Sequence, residues 1–132
     1  MGQRMKNLIL DTCAALWLAS GDEKLSSKAR EHIETRDLVF VSAISCWEIA
    51  LKQKSGELIL PMPALAWFNE VVRHHNLIVL PLDAEVLAAS VLLPDHHKDP
   101  ADRFIIAQAL NNLLAIVTTD EKFRLYGVDV IR

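Results

Sequence analysis

The stretch "NLILDTCAALWLASG", residues 7–21, joins a short apolar segment to a longer one through a single acidic residue. Residues 7–10 are typical of a buried strand, and residues 13–20 have the pattern of a helix that ends at Gly21. Asp11 and Thr12 stand between the two. A strand that leads into a helix is the repeating unit of domains built on a parallel sheet. This stretch therefore predicts an α/β fold with an acid at the carboxyl end of its first strand.

The rest of the chain repeats this alternation. We predict further strands at 38–41, 77–80 and 114–118, with a last edge strand at 128–131. Helices are predicted at 25–34, 43–55, 64–75 and 83–92, then from residue 100, with a short helical turn at 120–127. We therefore expect a three-layer α/β/α arrangement, with a mostly parallel central sheet of about five strands flanked by helices.

Length and composition limit the function classes. The 132 residues, 52% of them hydrophobic, suit a single domain spanning residues 1–132 with a real core. No apolar run approaches the roughly 20 residues that cross a bilayer, so we expect a cytoplasmic protein. A net charge of -3 argues against holding nucleic acid through a broad basic surface. Cys13 and Cys46 lie in apolar surroundings outside any Cys-x-x-Cys spacing, which predicts reduced core residues.

Four carboxylates fall where the predicted sheet would bring them together. Asp11 follows the first strand, Asp120 follows the strand at 114–118, and Asp102 lies in the first turn of the helix before that strand. Glu48 interrupts an apolar helix that starts at the end of the second strand. Functional groups collect at the carboxyl ends of parallel strands. We therefore expect all four acids at one edge of the sheet.

A simpler interpretation is helix capping for the aspartates and a solvent-facing position for Glu48. Asp99-Pro100 resembles an N-cap followed by proline at the first helical position, with Asp102 three residues after the cap. Capping does not explain why the acids should converge. Carboxylates held close together raise one another's pKa values unless a divalent cation neutralises them, and oxygen ligands favour magnesium or manganese. The pattern predicts metal-assisted attack of water on a phosphodiester.

Four segments, "LILDT", "SAISCWEIALKQKSGEL", "HKDPADRFIIAQAL" and "AIVTTDEKF", span the chain nearly end to end. In this order and spacing the sequence resembles the PIN-domain ribonucleases, most closely the toxins of the VapC type. The resemblance implies a magnesium site at the four acids, with supporting residues beside them: Asp11, Glu48, Asp102 and the less regular Asp120, supported by Thr12, Thr118 and the helix-starting Asp99.

The same resemblance implies a function and partners. The expected substrate is single-stranded or structured RNA, cut endonucleolytically with Mg²⁺, or with Mn²⁺ as a substitute. The expected partners are a cognate antitoxin that occupies or distorts the active site, and a second copy of the chain in a homodimer or a larger toxin–antitoxin assembly. Residues 1–4 resemble an extension, so Met5 is the expected natural first residue.

Several other polar residues allow two interpretations. We predict that the pairs His74-His75 and His96-His97 are solvated, because neighbours on a helix do not share a face and the second pair lies in a polar loop. Arg103 would pair with a carboxylate or contact a substrate phosphate. Lys98 and Lys52, together with His97, would contact RNA, although a solvated helix face also accounts for Lys52. The three tryptophans, Trp17, Trp47 and Trp67, are predicted to pack in the core or at a dimer interface.

Acids at strand ends are also compatible with other functions. A phosphoacceptor signalling domain usually has two adjacent acids after its first strand, where this chain has only Asp11. A haloacid-dehalogenase-like phosphatase needs Asp-x-Asp there, and Cys13 stands in the second position. A catalytically silent PIN-like binding scaffold is the stronger alternative, although such a scaffold would be expected to lack at least one acid.

Overall fold

The computed structural model describes residues 5–132, so the predicted extension at residues 1–4 lies outside the described residues. The strands are β1 Leu8–Leu10, β2 Val39–Ser42, β3 Ile78–Leu80, β4 Ala115–Val117 and β5 Val130–Ile131. The helices are α1 Thr12–Ser20, α2 Ser27–Thr35, α3 Ala43–Ser55, α4 Ala64–His74, α5 Ala84–Leu92 and α6 Pro100–Asn112, with a 3₁₀ helix at Glu121–Tyr126. Within residues 5–132, no helix is both long and apolar enough to cross a membrane.

The five strands form one sheet in the order β3-β2-β1-β4-β5, and every neighbouring pair is parallel. The predicted α/β class with a central sheet of about five strands is thus confirmed. From β1 the chain moves outward through β2 and β3, then returns to the other side of β1 for β4 and β5. The direction of winding reverses between β1 and β4. In open α/β sheets, such a reversal leaves a crevice at the carboxyl ends of the two strands, where ligands bind.

Helices cover both faces of the sheet. Leu8 and Leu10 of β1 pack into one hydrophobic cluster with residues of α1, α2 and α4. Ile9, which points to the opposite face, packs with Ile105 and Ile106 of α6. Every residue of β1 and β4 is buried, as expected for central parallel strands. The predicted three layers are therefore present, and the core anchors the two strands on either side of the crevice.

The helix ends follow their local sequence signals. Ser42 caps α3, because its Oγ accepts a hydrogen bond from the Ile44 N–H at 3.1 Å. At the other end of α3, Gly56 takes a left-handed conformation with φ of 84°, which residues with a Cβ rarely adopt. These ends determine where α3 begins and how far it runs. They place Glu48 near the carboxyl end of β2, as the sequence predicts.

The prediction that Cys13 is a core residue was wrong, because this residue is exposed. Cys46 is half-buried and packs against the first hydrophobic cluster, and both cysteines are free thiols. Trp47 is 56% exposed, whereas Trp17 and Trp67 pack partly buried against the first cluster. Trp47 therefore lies outside the core, and a dimer interface is its remaining predicted environment.

Candidate metal centre

Asp11 lies at the carboxyl end of β1 and is 7% exposed. Its Oδ1 accepts a hydrogen bond from the Ala14 N–H at 2.7 Å, and its own N–H donates to the Val117 carbonyl of β4 at 3.1 Å. Burial raises the pKa of Asp11 to about 6, because the hydrogen bonds from Thr118 and Ala14 offset only part of the desolvation. Asp11 is therefore both the cap of α1 and a carboxyl group held at the crevice.

Glu48 is half-buried and is held from α1. The Thr12 hydroxyl donates a hydrogen bond to Oε1 of Glu48, and the Thr12 and Ser45 hydroxyl oxygens lie 2.8 Å apart. Burial and the charge of Asp99 raise the pKa of Glu48, although the Thr12 hydrogen bond and Lys52 oppose the rise. The interpretation of Glu48 as a solvent-facing helix residue is thus wrong. The sequence did not point to Ser45, whose hydroxyl is buried one turn before Glu48.

The pKa of Asp102 is raised further than that of Asp11. Burial raises its pKa to about 7, and the charges of Asp99, Glu48, Asp11 and Asp120 add to the effect. Asp99 caps α6 as predicted, since its Oδ1 accepts the Ala101 N–H at 2.9 Å. The same Asp99 charge acts on Asp102, so the cap also belongs to the electrostatic surroundings of the acids.

The two carboxylate oxygens of Asp120 make different contacts. Oδ1 accepts the Lys122 N–H at 2.9 Å and caps the 3₁₀ helix, while Oδ2 lies 2.9 Å from Nε2 of His97. The Asp120 N–H donates to Oγ1 of Thr118 at 3.0 Å. Because Thr118 also hydrogen-bonds Asp11, this buried threonine links the acids that follow β1 and β4.

His97 contradicts the prediction that all four paired histidines are solvated. It is 8% exposed, and its Nε2 lies 3.1 Å from Oδ2 of Asp102 as well as 2.9 Å from Oδ2 of Asp120. Its neighbour His96 is exposed, as predicted. The ring of His97 is covered by Phe123 of the 3₁₀ helix. Nothing in the loop sequence distinguishes the two histidines, because the covering residue lies 26 positions (123 − 97) further along the chain.

Arg103 points inward, towards the loop before α6. Its guanidinium donates to the main-chain carbonyls of Ser90, Leu93, Pro94 and His97 at 2.8–3.0 Å. Among residues 5–132, the predicted pairing of Arg103 with a carboxylate is limited to a 3.7 Å contact with Asp95. The Asp95 side chain is 95% exposed. Through these hydrogen bonds Arg103 mainly holds the loop that carries His97 in place. The sequence prediction missed this role.

The two candidate lysines remain at the surface. Lys98 is exposed in the loop before α6. Lys52 is partly exposed on α3, and its Nζ lies 3.6 Å from a carboxylate oxygen of Glu57. Both positions leave the ammonium groups accessible to a polyanion.

An apolar hollow of about 470 Å³ lies beside the acids, between the starts of α3 and α6. Most of its walls are hydrophobic, and Asp99 contributes the charged edge: Ala43, Ile44, Trp47, Leu82, Asp99, Pro100, Ala101 and Phe104. Asp99 connects the hollow to the carboxylate cluster, because its charge raises the pKa values of Glu48 and Asp102.

The cluster has the donor chemistry of a divalent cation site. The structure brings Asp11, Glu48, Asp102 and Asp120 to one edge of the sheet, where their charges act on one another. One ligand atom from each of His97, Asp102 and Asp120 lies within 4.8 Å of the other two. A bound divalent cation would lower the raised pKa values of Asp11 and Asp102, because it stabilises ionised carboxylates. The four carboxylates therefore offer the oxygen ligands that a hard metal ion prefers.

Comparison with known proteins agrees with this arrangement. The PIN domain family model matches residues 8–128. The chain belongs to the PIN-domain family. This PIN domain is 32% identical over 121 residues to Ribonuclease VapC22 of Mycobacterium tuberculosis (strain ATCC 25618 / H37Rv), covering 91% of this chain and 92% of the relative. The predicted resemblance to PIN-domain proteins of the VapC type is confirmed.

Solved structures share the fold of this PIN domain. The crystal structure of DNA-bound VapBC from Salmonella typhimurium contains a chain that matches with a TM-score of 0.72 and 18% identity, over 96% of this chain and 98% of that one. A toxin–antitoxin complex from Klebsiella pneumoniae matches with a TM-score of 0.66 and 17% identity, over 95% of this chain and 96% of that one. At these identities the likeness establishes the fold of the PIN domain.

Proposed function

We propose that this PIN domain is a magnesium-dependent endoribonuclease and the toxin of a toxin–antitoxin pair. The observation that carries the proposal is the gathering of Asp11, Glu48, Asp102 and Asp120 at the crevice between β1 and β4, with raised pKa values for the first three. The relative named Ribonuclease VapC22 supports the choice of RNA as substrate. A silent binding scaffold would have no need for four such carboxylates.

In this proposal, Asp11, Glu48, Asp102 and Asp120 hold Mg²⁺, for which Mn²⁺ can substitute. When bound, the ion supplies Lewis-acid polarisation of the scissile phosphate and an activated water. The chain's own part is to keep the carboxylates oriented. Capping bonds and the hydroxyls of Thr12 and Thr118 do this, while Asp99 starts the helix that carries Asp102.

RNA must be held locally, since the chain carries a net charge of -3. The candidate phosphate contacts are Lys98, in the loop that carries His97, and Lys52, whose charge lowers the pKa of Glu48. Arg103 is the weakest of the predicted RNA contacts, because its side chain is only 12% exposed and its donors are bound to carbonyls. We therefore assign RNA contacts to the two lysines.

We also propose a cognate antitoxin and a second copy of this chain as partners in the cytoplasm. The structure matched from K. pneumoniae is a toxin–antitoxin complex, which supports the first partner. The apolar hollow at Trp47 and Phe104 can accept an apolar antitoxin side chain beside the acids. A segment bound there would obstruct the approach of RNA to Glu48.

The nuclease proposal is tested with end-labelled RNA, Mg²⁺ and purified protein, with and without EDTA. Asp11→Asn and Asp102→Asn should lose cleavage, as should wild type in EDTA. Asp83→Asn is the matched control, because Asp83 caps α5 through the Val86 N–H but lies outside the cluster. Equal cleavage by wild type and both site variants, or none by antitoxin-free wild type, would rule the proposal out.

The partners need separate measurements. Light scattering on a sizing column should give twice the chain mass of 14.8 kDa. A small DNA-binding protein encoded next to this chain should co-purify with it after co-expression and should suppress RNA cleavage. A monomer would exclude the homodimer, and cleavage undiminished in the complex would exclude an inhibitory antitoxin.

A further inference from the structure

We propose that His97 is a positioning residue for the metal centre. Its Nε2–H donates to Oδ2 of Asp120 and lies 3.1 Å from Oδ2 of Asp102, and it holds the two carboxylates at the separation in which they receive a divalent cation. The inference rests on the proposed function, because it concerns the same site. It assigns a role to a buried side chain that is not one of the four proposed acids.

The surroundings of His97 hold its ring in one orientation. The His97 N–H donates to the Tyr126 hydroxyl at 2.7 Å, and its carbonyl accepts from Arg103 at 3.0 Å. The Asp99 N–H donates to Nδ1 of the ring at 3.2 Å, and Phe123 packs at right angles to the ring with centroids 5.6 Å apart. Main chain and ring are thus both restrained, so Nε2 is directed at the carboxylates.

The hydrogen bond to Nδ1 determines which ring nitrogen carries the proton. A neutral imidazole has one N–H, and Nδ1 cannot be protonated while it accepts the Asp99 N–H. The hydrogen therefore lies on Nε2, where it faces Asp102 and Asp120. A histidine that binds a metal usually donates from its other nitrogen to an acceptor, which is the opposite polarity. His97 consequently serves the site as a hydrogen-bond donor rather than as a ligand.

The two carboxylates need such a donor because no shared backbone element sets their separation. Asp102 belongs to α6, and Asp120 precedes the 3₁₀ helix beyond β4. Their like charges repel each other, and the Asp120 side chain is 38% exposed and so less restrained by packing than Asp102. Of the hydrogen bonds and ion pairs among residues 5–132, those of His97 are the ones that reach both carboxylates. A shared N–H donor offsets the repulsion before a cation arrives.

The test compares His97→Gln with His97→Met in the full-length chain. Glutamine and methionine have similar length and volume, but only glutamine carries an N–H donor near the position of Nε2. Titration calorimetry with MnCl₂ measures cation affinity, and circular dichroism checks folding. His96→Met is the matched control on the exposed neighbour. We expect His97→Met to weaken Mn²⁺ binding about 10- to 100-fold, as for other residues that orient metal ligands. His97→Gln should stay within a few-fold of wild type, and the control should be unchanged.

A second readout is RNA cleavage as a function of Mg²⁺ concentration. His97→Met should shift the midpoint to higher Mg²⁺ and recover much of the wild-type rate at saturation. Unchanged or tighter Mn²⁺ binding in His97→Met overturns the inference, as does a loss in His97→Gln equal to that in His97→Met. If His97→Met fails to fold, a folded His97→Gln that binds more than tenfold more weakly overturns it. Absence of Mn²⁺ binding by wild type would instead defeat the proposed function, and the inference with it.

Discussion

Thr12 connects two of the acids, because its hydroxyl donates to Glu48 across 36 positions of sequence while its main chain directly follows Asp11. This contact ties the start of α1 to the middle of α3. It also opposes the rise in the Glu48 pKa that burial causes. The orientation of Glu48 therefore depends on a neutral side chain of another helix.

Thr12→Val should weaken divalent cation binding and RNA cleavage, because valine keeps the shape of threonine but removes the donor. A hydrogen bond to a charged group contributes about 1.5–3 kcal/mol, so we expect roughly a tenfold or greater loss in Mn²⁺ affinity by titration calorimetry. Thr35→Val, which changes an exposed hydroxyl at the end of α2, is the control. Equal affinities in the two variants would contradict the role of Thr12.

Stability of the metal-free protein should fall as pH rises from about 4 to about 7. The folded-state pKa values of Asp11 and Asp102 are raised from 3.8 to about 6 and about 7. Between these limits the folded state binds more protons than the unfolded state, so raising the pH favours unfolding. Urea titrations in EDTA at several pH values measure the slope.

Asp102→Asn should reduce this slope, because asparagine titrates in neither the folded nor the unfolded state and so removes one of the two raised pKa values. Its free energy of unfolding in EDTA at pH 8 should exceed that of wild type, although cleavage is lost. Saturating Mg²⁺ should stabilise wild type at pH 8 by binding the folded state. A stability that rises with pH between 4 and 7 in EDTA would contradict the raised pKa values.

Arg103→Met should destabilise the fold, because it leaves four main-chain carbonyls around the loop before α6 without their donor. We expect a loss of at least about 2 kcal/mol in the free energy of unfolding, measured with urea. Arg73→Met, which removes a pair with Glu70 on the exposed face of α4, should have little effect. A similar small effect in both variants would show that the Arg103 contacts contribute little.

Cys13 should report cation binding through its reactivity. Burial raises the pKa of its thiol, and the charges of Asp11, Asp102 and Glu48 raise it further. Because only the thiolate reacts readily, alkylation by iodoacetamide at pH 8 should be slow in EDTA and faster with Mg²⁺. The pKa of Cys46 is raised by burial alone, so its rate should not respond to Mg²⁺. A Cys13 rate that is insensitive to Mg²⁺ would argue against a cation among these acids.

The fold and the choice of acids could be predicted largely from sequence, since both rest on local signals. The apolar run before Asp11, the serine before α3 and the Asp99-Pro100 start of α6 each act within a few residues. The alternation of strands and helices then implies a parallel sheet, and parallel strands end at one edge. The order of the strands in the sheet could not be predicted from these local signals. It depends on which strands pair, and the sequence pattern alone does not specify pairing.

The sequence by itself determined the elements, their caps and the positions of the acids, because hydrophobic period and capping chemistry are short-range. Only the tertiary structure decided the environment of single side chains in loops and at the open edge of the sheet. His96 and His97 are identical in type and adjacent, yet Phe123 packs against the ring of His97, whereas His96 stays exposed although its ring contacts Tyr126. Burial of a loop side chain depends on segments far along the chain that fold against it, and no local pattern encodes that contact.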